Sequence, residues 1–208
     1  MNKYIYEFIG TFFLVLTIGL TVLSGASGVI APLAIGAALM VMIFATGHVS
    51  GGHLNPAVTL GVLLRGRCTY SDAVGYWIAQ LLAGVVAALL VGFLRGAPAE
   101  AAVPPATVEA LLVEFLFTFA LVFVVLNVAT AKANVNNSFY GLAIGTTVMV
   151  GAFSVGDISG GAFNPAVALG ISIMGLSPWS ALWIFLVANL LGGAVAALVF
   201  RSCNPDDK

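Results

Sequence analysis

The chain alternates long apolar segments with short polar stretches. We predict six membrane-spanning helices from the long segments, at residues 4–25, 31–48, 72–95, 107–130, 139–156 and 178–200. At a rise of about 1.5 Å per residue, segments of this length cross the roughly 30 Å hydrocarbon core of a bilayer. The pattern therefore predicts an all-α membrane protein.

Two further apolar segments are too short to cross a membrane. They begin at Asn-Pro-Ala motifs and extend over residues 55–65 and 164–174. About ten residues of helix rise only ~15 Å, which is half the thickness of the hydrocarbon core. We therefore predict two re-entrant half-helices.

The half-helices belong to a longer motif that occurs twice. Residues 50–58 have the sequence SGGHLNPAV, and residues 159–167, 109 positions later, have SGGAFNPAV. Other polar residues repeat in the same order, and the corresponding pairs are Glu7 with Glu114 and Gln80 with Asn189. A duplicated polar motif in a hydrophobic chain is typical of proteins whose site lies between two repeats.

The duplication predicts two homologous halves, residues 1–104 and 105–208. Each half would contain three spans and one half-helix. Because three is an odd number, the second half would be inverted relative to the first, and the two half-helices would enter from opposite sides and meet near the middle of the membrane.

Composition agrees with membrane insertion and excludes several classes of function. The chain is 61% hydrophobic and 7% charged, with a mean hydropathy of +1.12, whereas soluble domains contain about 25% charged residues. No basic patch, phosphate-binding loop or nucleophile constellation is visible. We therefore expect no enzymatic activity, no cofactor and no nucleic-acid partner, and we expect the lipid bilayer to be the surroundings of the protein.

The basic residues predict an orientation. With the N-terminus inside, Arg95 lies outside and six basic residues lie inside: Lys3, Arg65, Arg67, Lys132, Arg201 and Lys208. This bias places both termini in the cytoplasm. Compact loops favour a prokaryotic inner membrane, where the inward-facing Cys68 and Cys203 would remain reduced.

The Asn-Pro-Ala motifs are predicted helix starts, formed by Asn55, Pro56 and Ala57 and by Asn164, Pro165 and Ala166. Asn is a preferred N-cap, and Pro is preferred at the first helical position. Two helix N-termini that face each other place two positive dipole ends at one point, which repels cations. The Asn amides add N–H donors there, so a water or hydroxyl oxygen would bind between them.

These motifs resemble those of the aquaporin superfamily, the major intrinsic proteins. The resemblance covers essentially the whole chain and includes both Asn-Pro-Ala motifs, the glutamates Glu7 and Glu114, and the pair Gln80 and Gly84. It implies six tilted helices, two half-helices and one pore per subunit, assembled as a homotetramer. It also implies passive conduction of water or small neutral solutes.

The chain departs from the aquaporin pattern at the ring that is narrowest in that family. Counted from the two motif asparagines, the ring positions hold Ile35, Ala152, Gly161 and Val167. Members selective for water or glycerol have an arginine directly after the second motif, and this chain has valine. We expect a wide, apolar ring without a positive charge. Alternatively, the outer loop at residues 97–105 or a shifted backbone fills the space.

Three other polar residues have two interpretations each. Glu7 and Glu114 lie within spans, where a charge costs ~2.5–3.5 kcal/mol at the helix centre. They are either a proton-coupled site or, as the resemblance implies, structural acceptors for N–H groups of the re-entrant loops; their duplication favours the second. His53 is expected to line the pore or order its loop. We predict no metal site, because His48 corresponds to Asp157 in the second half.

The function expected from these features is that of a passive channel for small uncharged solutes. The apolar ring favours solutes larger than water, such as glycerol, urea or metalloid hydroxides like arsenite. A water channel with an atypical ring is the alternative. A proton-coupled transporter that uses Glu7 or Glu114 is a third hypothesis, from a different class.

Overall fold

Within the described residues, 1–25 and 28–207, the computed structural model contains eight α-helices. They are α1 (Asn2–Val22), α2 (Ile30–Ser50), α3 (Pro56–Leu64), α4 (Tyr70–Arg95), α5 (Thr107–Val125), α6 (Tyr140–Ser159), α7 (Pro165–Ile173) and α8 (Leu182–Cys203). A π-helical turn at Leu126–Thr130 extends α5, and 3₁₀ turns lie at Lys132–Asn134 and Trp179–Ala181.

Six of these helices are long and apolar enough to cross a membrane. The other two, α3 and α7, have nine residues each. The predicted spans and half-helices are therefore confirmed, with small differences at their ends. For example, α2 continues to Ser50 rather than residue 48, and α4 begins at Tyr70 rather than residue 72.

Ion pairs mark one end of the helix bundle. The starts of α1 and α4 meet at one end, where Lys3 pairs with Asp72. The ends of α3 and α8 meet at the same end, where Arg65 pairs with Asp207. We call this end, which contains both chain termini, the termini end, and the other the opposite end. Lys208, one of the six predicted inner cations, lies outside the described residues.

Each half-helix packs against a long helix from the other half of the chain. α3 contacts α8, and α7 contacts α4. Glycine makes both contacts close: a Cβ at Gly193 would lie 2.6 Å from the carbonyl oxygen of Ala57, and one at Gly84 would lie 2.7 Å from that of Ala166. This exchange fixes both half-helix starts at the centre of the bundle.

The halves also meet through α2 and α6. A Cβ at Gly36 would lie 2.8 Å from the carbonyl oxygen of Gly145, and one at Gly145 would lie 2.5 Å from that of Gly36. The two helices therefore approach with their backbones almost in contact, which small residues at membrane helix interfaces permit.

Candidate functional site

Both Asn-Pro-Ala motifs start a helix at the centre of the molecule. Asn55 has an extended backbone, and its Oδ1 accepts a hydrogen bond of 2.8 Å from the backbone N–H of Ala57. Asn164 does the same for Ala166 at 2.9 Å. Each asparagine is thus the N-cap, and the proline that follows takes the first helical position, where no N–H is needed.

The two asparagine amides also join the two half-helices to each other. The Nδ2 of Asn55 donates to the carbonyl of Phe163, and that of Asn164 donates to the carbonyl of Leu54, both at 2.9 Å. Leu54 and Phe163 adopt positive φ angles of 51° and 47°, which aim these carbonyls across the centre. Such backbone strain costs roughly 1–3 kcal/mol per residue. An amide group has two N–H donors, so each asparagine keeps a second one to offer to a solute.

Glu7 holds the loop before the first half-helix. One carboxylate oxygen accepts from the Ser50 hydroxyl at 2.7 Å and the His53 backbone N–H at 2.9 Å. The other accepts from the Leu54 backbone N–H at 2.7 Å and the Gln80 amide at 2.8 Å. All four partners are donors, so the ionised carboxylate satisfies the site fully.

Glu114 holds the second loop in the same way. It accepts from the Ser159 hydroxyl at 2.7 Å, the Ala162 and Phe163 backbone N–H groups at 2.9 and 2.8 Å, and the Asn189 amide at 2.9 Å. Like Glu7, it is fully buried. Neither carboxylate is among the described residues that line the cavities at the centre of the bundle. This geometry favours structural anchoring over proton transport.

A cavity of about 80 Å³ lies where the half-helices meet. Pockets for drug-sized ligands usually measure about 300–1,000 Å³, so this cavity accepts only small molecules. Its lining combines all of the ring positions inferred from the sequence with both motif asparagines and His53: Ile35, Ala152, Gly161, Val167, Asn55, Asn164 and His53. The structure thus brings these predicted site residues together around one space.

Three residues that the sequence analysis did not identify also surround the ring. Ile18, Val22 and Ile171 line both the central cavity and a cavity of about 490 Å³ at the opposite end. Ile35 and Ala152 line the same two cavities, so all five side chains lie at the junction. Counting from the motif asparagines could not find the α1 residues. The spacing of Ile18 and Val22, four positions apart on α1, was the available signal.

The ring is apolar, and the outer loop does not fill it. Of the described residues that line the central cavity, none is Asp, Glu, Lys or Arg, and none belongs to residues 97–105. The polar surface comes from the motif asparagines, from His53, and from the irregular backbone at Gly160, Gly161 and Ala162. The apolar part of the lining includes Ile18, Ile35, Ile171 and Val167.

His53 is held by Thr59 on the first half-helix. The Thr59 hydroxyl donates to the Asn55 carbonyl at 3.1 Å and accepts from the Gln80 amide at 3.0 Å. Its single hydrogen is then in use, so the His53 Nδ1, 3.1 Å away, acts as a donor to it. Assigned in this way, the neutral ring has its Nε2 as a free acceptor. His53 also lines the cavity at the termini end.

Two other sequence inferences concern metal ions and thiols. Among the described residues, no group of three or more His, Cys, Asp or Glu side chains is arranged to hold a metal ion. His48 lies edge-on to Tyr6, with ring centroids 6.0 Å apart. Cys68 and Cys203 are both free thiols.

Residues 1–200 match the family model described as "Major intrinsic protein". Aquaporin NIP1-4 of Oryza sativa subsp. japonica is 37% identical over 203 residues, which cover 93% of this chain and 74% of that protein. Glycerol uptake facilitator protein-like 6 of Lactiplantibacillus plantarum is 37% identical over an alignment of 217 positions that covers all of both chains.

A solved structure shares the fold. The aquaglyceroporin from Plasmodium falciparum superposes with a TM-score of 0.74 over 95% of each chain, at 22% sequence identity. The six apolar spans and the paired half-helices agree with the family match over residues 1–200. The chain belongs to the major intrinsic protein family, and it is a passive membrane channel for water and small solutes.

Proposed function

We propose that the preferred solutes of this channel are uncharged molecules larger than water, such as glycerol-like polyols, urea or metalloid hydroxides like arsenite. The observation behind the proposal is the ring of Ile35, Ala152, Gly161 and Val167, which contains neither an arginine nor an aromatic side chain. The full-length relative named as a glycerol uptake facilitator-like protein supports the same class of solute.

The lining offers a polar strip beside an apolar wall. Backbone groups of Gly160, Gly161 and Ala162 and the two motif asparagines provide hydrogen-bonding positions, whereas Val167 and its aliphatic neighbours provide the wall. A polyol has hydroxyl groups on one side and C–H groups on the other, so it can satisfy both surfaces. A charged solute would lose its hydration without gaining a partner.

A water channel with an atypical ring is the second candidate. The additional side chains of Ile18, Val22 and Ile171 support it, because they surround the junction and reduce its width. A proton-coupled transporter has weaker support, since Glu7 and Glu114 each already accept four hydrogen bonds and do not line the cavity.

A solute panel in proteoliposomes tests the proposal. Light scattering would report the flux of glycerol and urea from the swelling of the liposomes, and the flux of water from their shrinkage. Arsenite uptake would be measured directly. We expect glycerol-class flux well above that of empty liposomes. Water flux without measurable flux of any larger solute would overturn the proposal in favour of the second candidate. Accumulation driven by a pH gradient would favour the transporter, because a channel can only equilibrate its solute.

Val167→Arg sharpens the same experiment. Arginine is several atoms longer than valine and has five donors in a fixed fork, so it should fill the ring. We expect water flux to remain while the flux of larger solutes falls much further, and Ala152→His should deepen this restriction. Val167→Met, which adds length without charge, is the matched control. An unchanged ratio of glycerol to water flux would place the constriction elsewhere.

The orientation, origin and assembly are also proposals. Lys3, Arg65, Arg67, Lys132 and Arg201 at the termini end support a cytoplasmic location for both termini, in a cell membrane that we propose is a prokaryotic inner membrane. The corresponding anchors at Glu7 and Glu114 support two homologous halves, residues 1–104 and 105–208. A homotetramer with one pore per subunit is expected from the family. Protease protection in vesicles and native mass spectrometry test orientation and assembly.

A further inference from the structure

A third cavity, of about 290 Å³, lies at the termini end. We call it the termini-end vestibule. His53 and Val125 line both this vestibule and the central cavity, so the two spaces adjoin. Arg67 and Lys132 also line the vestibule, and among its described lining residues there is no aspartate or glutamate. A solute that passes His53 therefore meets two cationic side chains.

The C-terminal turn holds both cations in place. The Asp207 carboxylate accepts from the backbone N–H of Lys132 at 2.9 Å and lies 2.7 Å from Arg65 and 3.7 Å from Arg67. The Lys132 ammonium donates to the backbone carbonyl of Asp206 at 3.2 Å. The turn thus connects the loop after α3 to the segment after α5, and neither aspartate is among the described residues that line the vestibule.

Arg65, rather than Arg67, is the main partner of the Asp207 carboxylate. The Arg65 side chain is only 2% exposed, and its guanidinium lies 4.8 Å from the centre of the Phe200 ring. The Arg67 side chain is 41% exposed and its contact with Asp207 is a full ångström longer. Asp207 therefore lies closest to the buried charge of Arg65, whereas the more exposed side chain of Arg67 lines the vestibule.

The opposite end of the channel has the other sign of charge. The described lining of its cavity includes Asp157, and no lysine or arginine is among those residues. Asp157 would attract cations at the opposite end, and the ring at Val167 opposes them only through the cost of desolvation, because it carries no positive charge. Positive charge along the path lies at the half-helix starts and at the termini-end vestibule. Charges inside a narrow cleft with low-dielectric walls act more strongly than the same charges on an open surface.

We propose that Arg67 and Lys132 form a cationic rim that excludes cations from the termini-end vestibule and replaces the positive charge that position 167 lacks. The inference rests on the proposed function as a channel for neutral solutes. Rings of charged side chains set ion selectivity in pores in this way. Because the Debye length is about 8 Å at physiological salt, the charges of the rim act over distances of that order.

The double variant Arg67→Gln with Lys132→Gln tests the rim. Potassium and proton leak would be measured in proteoliposomes with entrapped fluorescent indicators, alongside glycerol flux in the same preparation. We expect cation leak to rise by about tenfold or more at low ionic strength, with glycerol flux nearly unchanged. The difference from wild type should shrink as salt rises towards 1 M, where the Debye length is about 3 Å.

Three controls separate charge from structural damage. Arg201 lies at the same end, donates to the Leu64 carbonyl and is not among the described residues that line the vestibule. Arg201→Gln therefore removes a cation outside the rim, and leak should stay low. Arg67→Lys with Lys132→Arg keeps the charge and should keep exclusion even if the glutamine variant folds poorly. Adding Val167→Arg to the glutamine double variant should restore exclusion, since a positive charge returns to the pathway.

The two proposals fail in different ways. Normal glycerol flux in the glutamine variant, with no more cation leak than Arg201→Gln, would overturn the cationic rim and leave the proposed function intact. Loss of exclusion in the charge-conserving variant would overturn it as well. A wild-type protein that passes no neutral solute larger than water would instead overturn the proposed function.

Discussion

Glu7 and Glu114, which hold the loops before the two half-helices, have nearly identical hydrogen-bond geometry but different surroundings. Glu7 and Glu114 each accept one serine hydroxyl, two backbone N–H groups and one side-chain amide, at distances that agree within 0.1 Å. The resemblance ends at the amides. Gln80 continues to Thr59 on the half-helix α3, whereas Asn189 continues to Thr118 on the long helix α5.

This difference accompanies two substitutions between the halves. Position 59 is threonine in the first half and the corresponding position 168 is alanine; His53 likewise corresponds to Ala162. The counterpart of Thr118 is Thr11, whose hydroxyl is buried without a hydrogen-bond partner. The duplicated carboxylates therefore form a common framework, and the contact of Thr59 with His53, which lines the central cavity, has no counterpart in the second half.

The largest expected effect comes from breaking the shared framework. Glu7→Gln or Glu114→Gln turns an amide N–H₂ towards groups that are themselves donors, and each lost bond to a charged acceptor is worth about 1.5–3 kcal/mol. We expect both variants to fold in lower yield and to have their unfolding temperatures lowered by similar amounts. Fluorescence-monitored melting in detergent measures the unfolding temperature. Stable, well-assembled variants that conduct nothing, or that lose a pH dependence of the wild type, would contradict a structural role.

The next effect tests the symmetry of the centre itself. Asn55→Asp and Asn164→Asp each remove the amide donor to the opposite carbonyl and put a carboxylate between two positive helix ends. We expect both to reduce glycerol flux and to admit cations, with equal effects because the two bonds have equal length. Unchanged flux without leak in either folded variant would show that the asparagines do not bind the solute.

The sequence predicts features formed by neighbouring residues and not contacts between residues that lie far apart in the chain. Apolar runs and helix-start motifs are local, so the spans and half-helices could be predicted, and the motif asparagines located the centre. The junction of Ile18, Val22 and Ile171 depends on the packing of α1 against α7, more than 140 residues away. The spacing of Ile18 and Val22 indicates a shared helix face but not the partner of that face. The pairing of Arg65 with Asp207 depends on a similar separation, and no local pattern indicates it.

A smaller effect should distinguish the two threonines. Thr59→Val removes the acceptor for both His53 and Gln80, while Thr118→Val removes only that for Asn189. Because a neutral hydrogen bond contributes a net ~0.5–1.5 kcal/mol, both variants should be destabilised by about 1 kcal/mol or somewhat more. Only Thr59→Val should also change solute flux, because only His53 lines the channel. Equal changes in flux for both variants would contradict the functional asymmetry.

The smallest effect concerns the junctions at the outer ends of the half-helices. Arg65 at the end of α3 pairs with Asp207, whereas the corresponding Met174 at the end of α7 is apolar, and the next residue, Gly175, lies against Pro98. The backbone N–H of Lys132 and then the charge of Arg65 hold the pKa of Asp207 below its ordinary value of 3.8. A lowered folded-state pKa stabilises the protein above the unfolded-state value, and this stabilisation disappears as the pH falls through the folded-state pKa.

Asp207→Asn should therefore lower the melting temperature slightly and equally from pH 5 to pH 8, and the wild type should lose its advantage only in acid, below about pH 4. Asp206→Asn is the matched control, because Asp206 contributes its backbone carbonyl to Lys132 and that carbonyl remains. Melting curves of the three proteins across the pH range measure this directly. If Asp206→Asn lowers the melting temperature as much as Asp207→Asn, general surface charge is responsible, and the ion pair at Arg65 does not distinguish the termini end from the apolar junction at Met174.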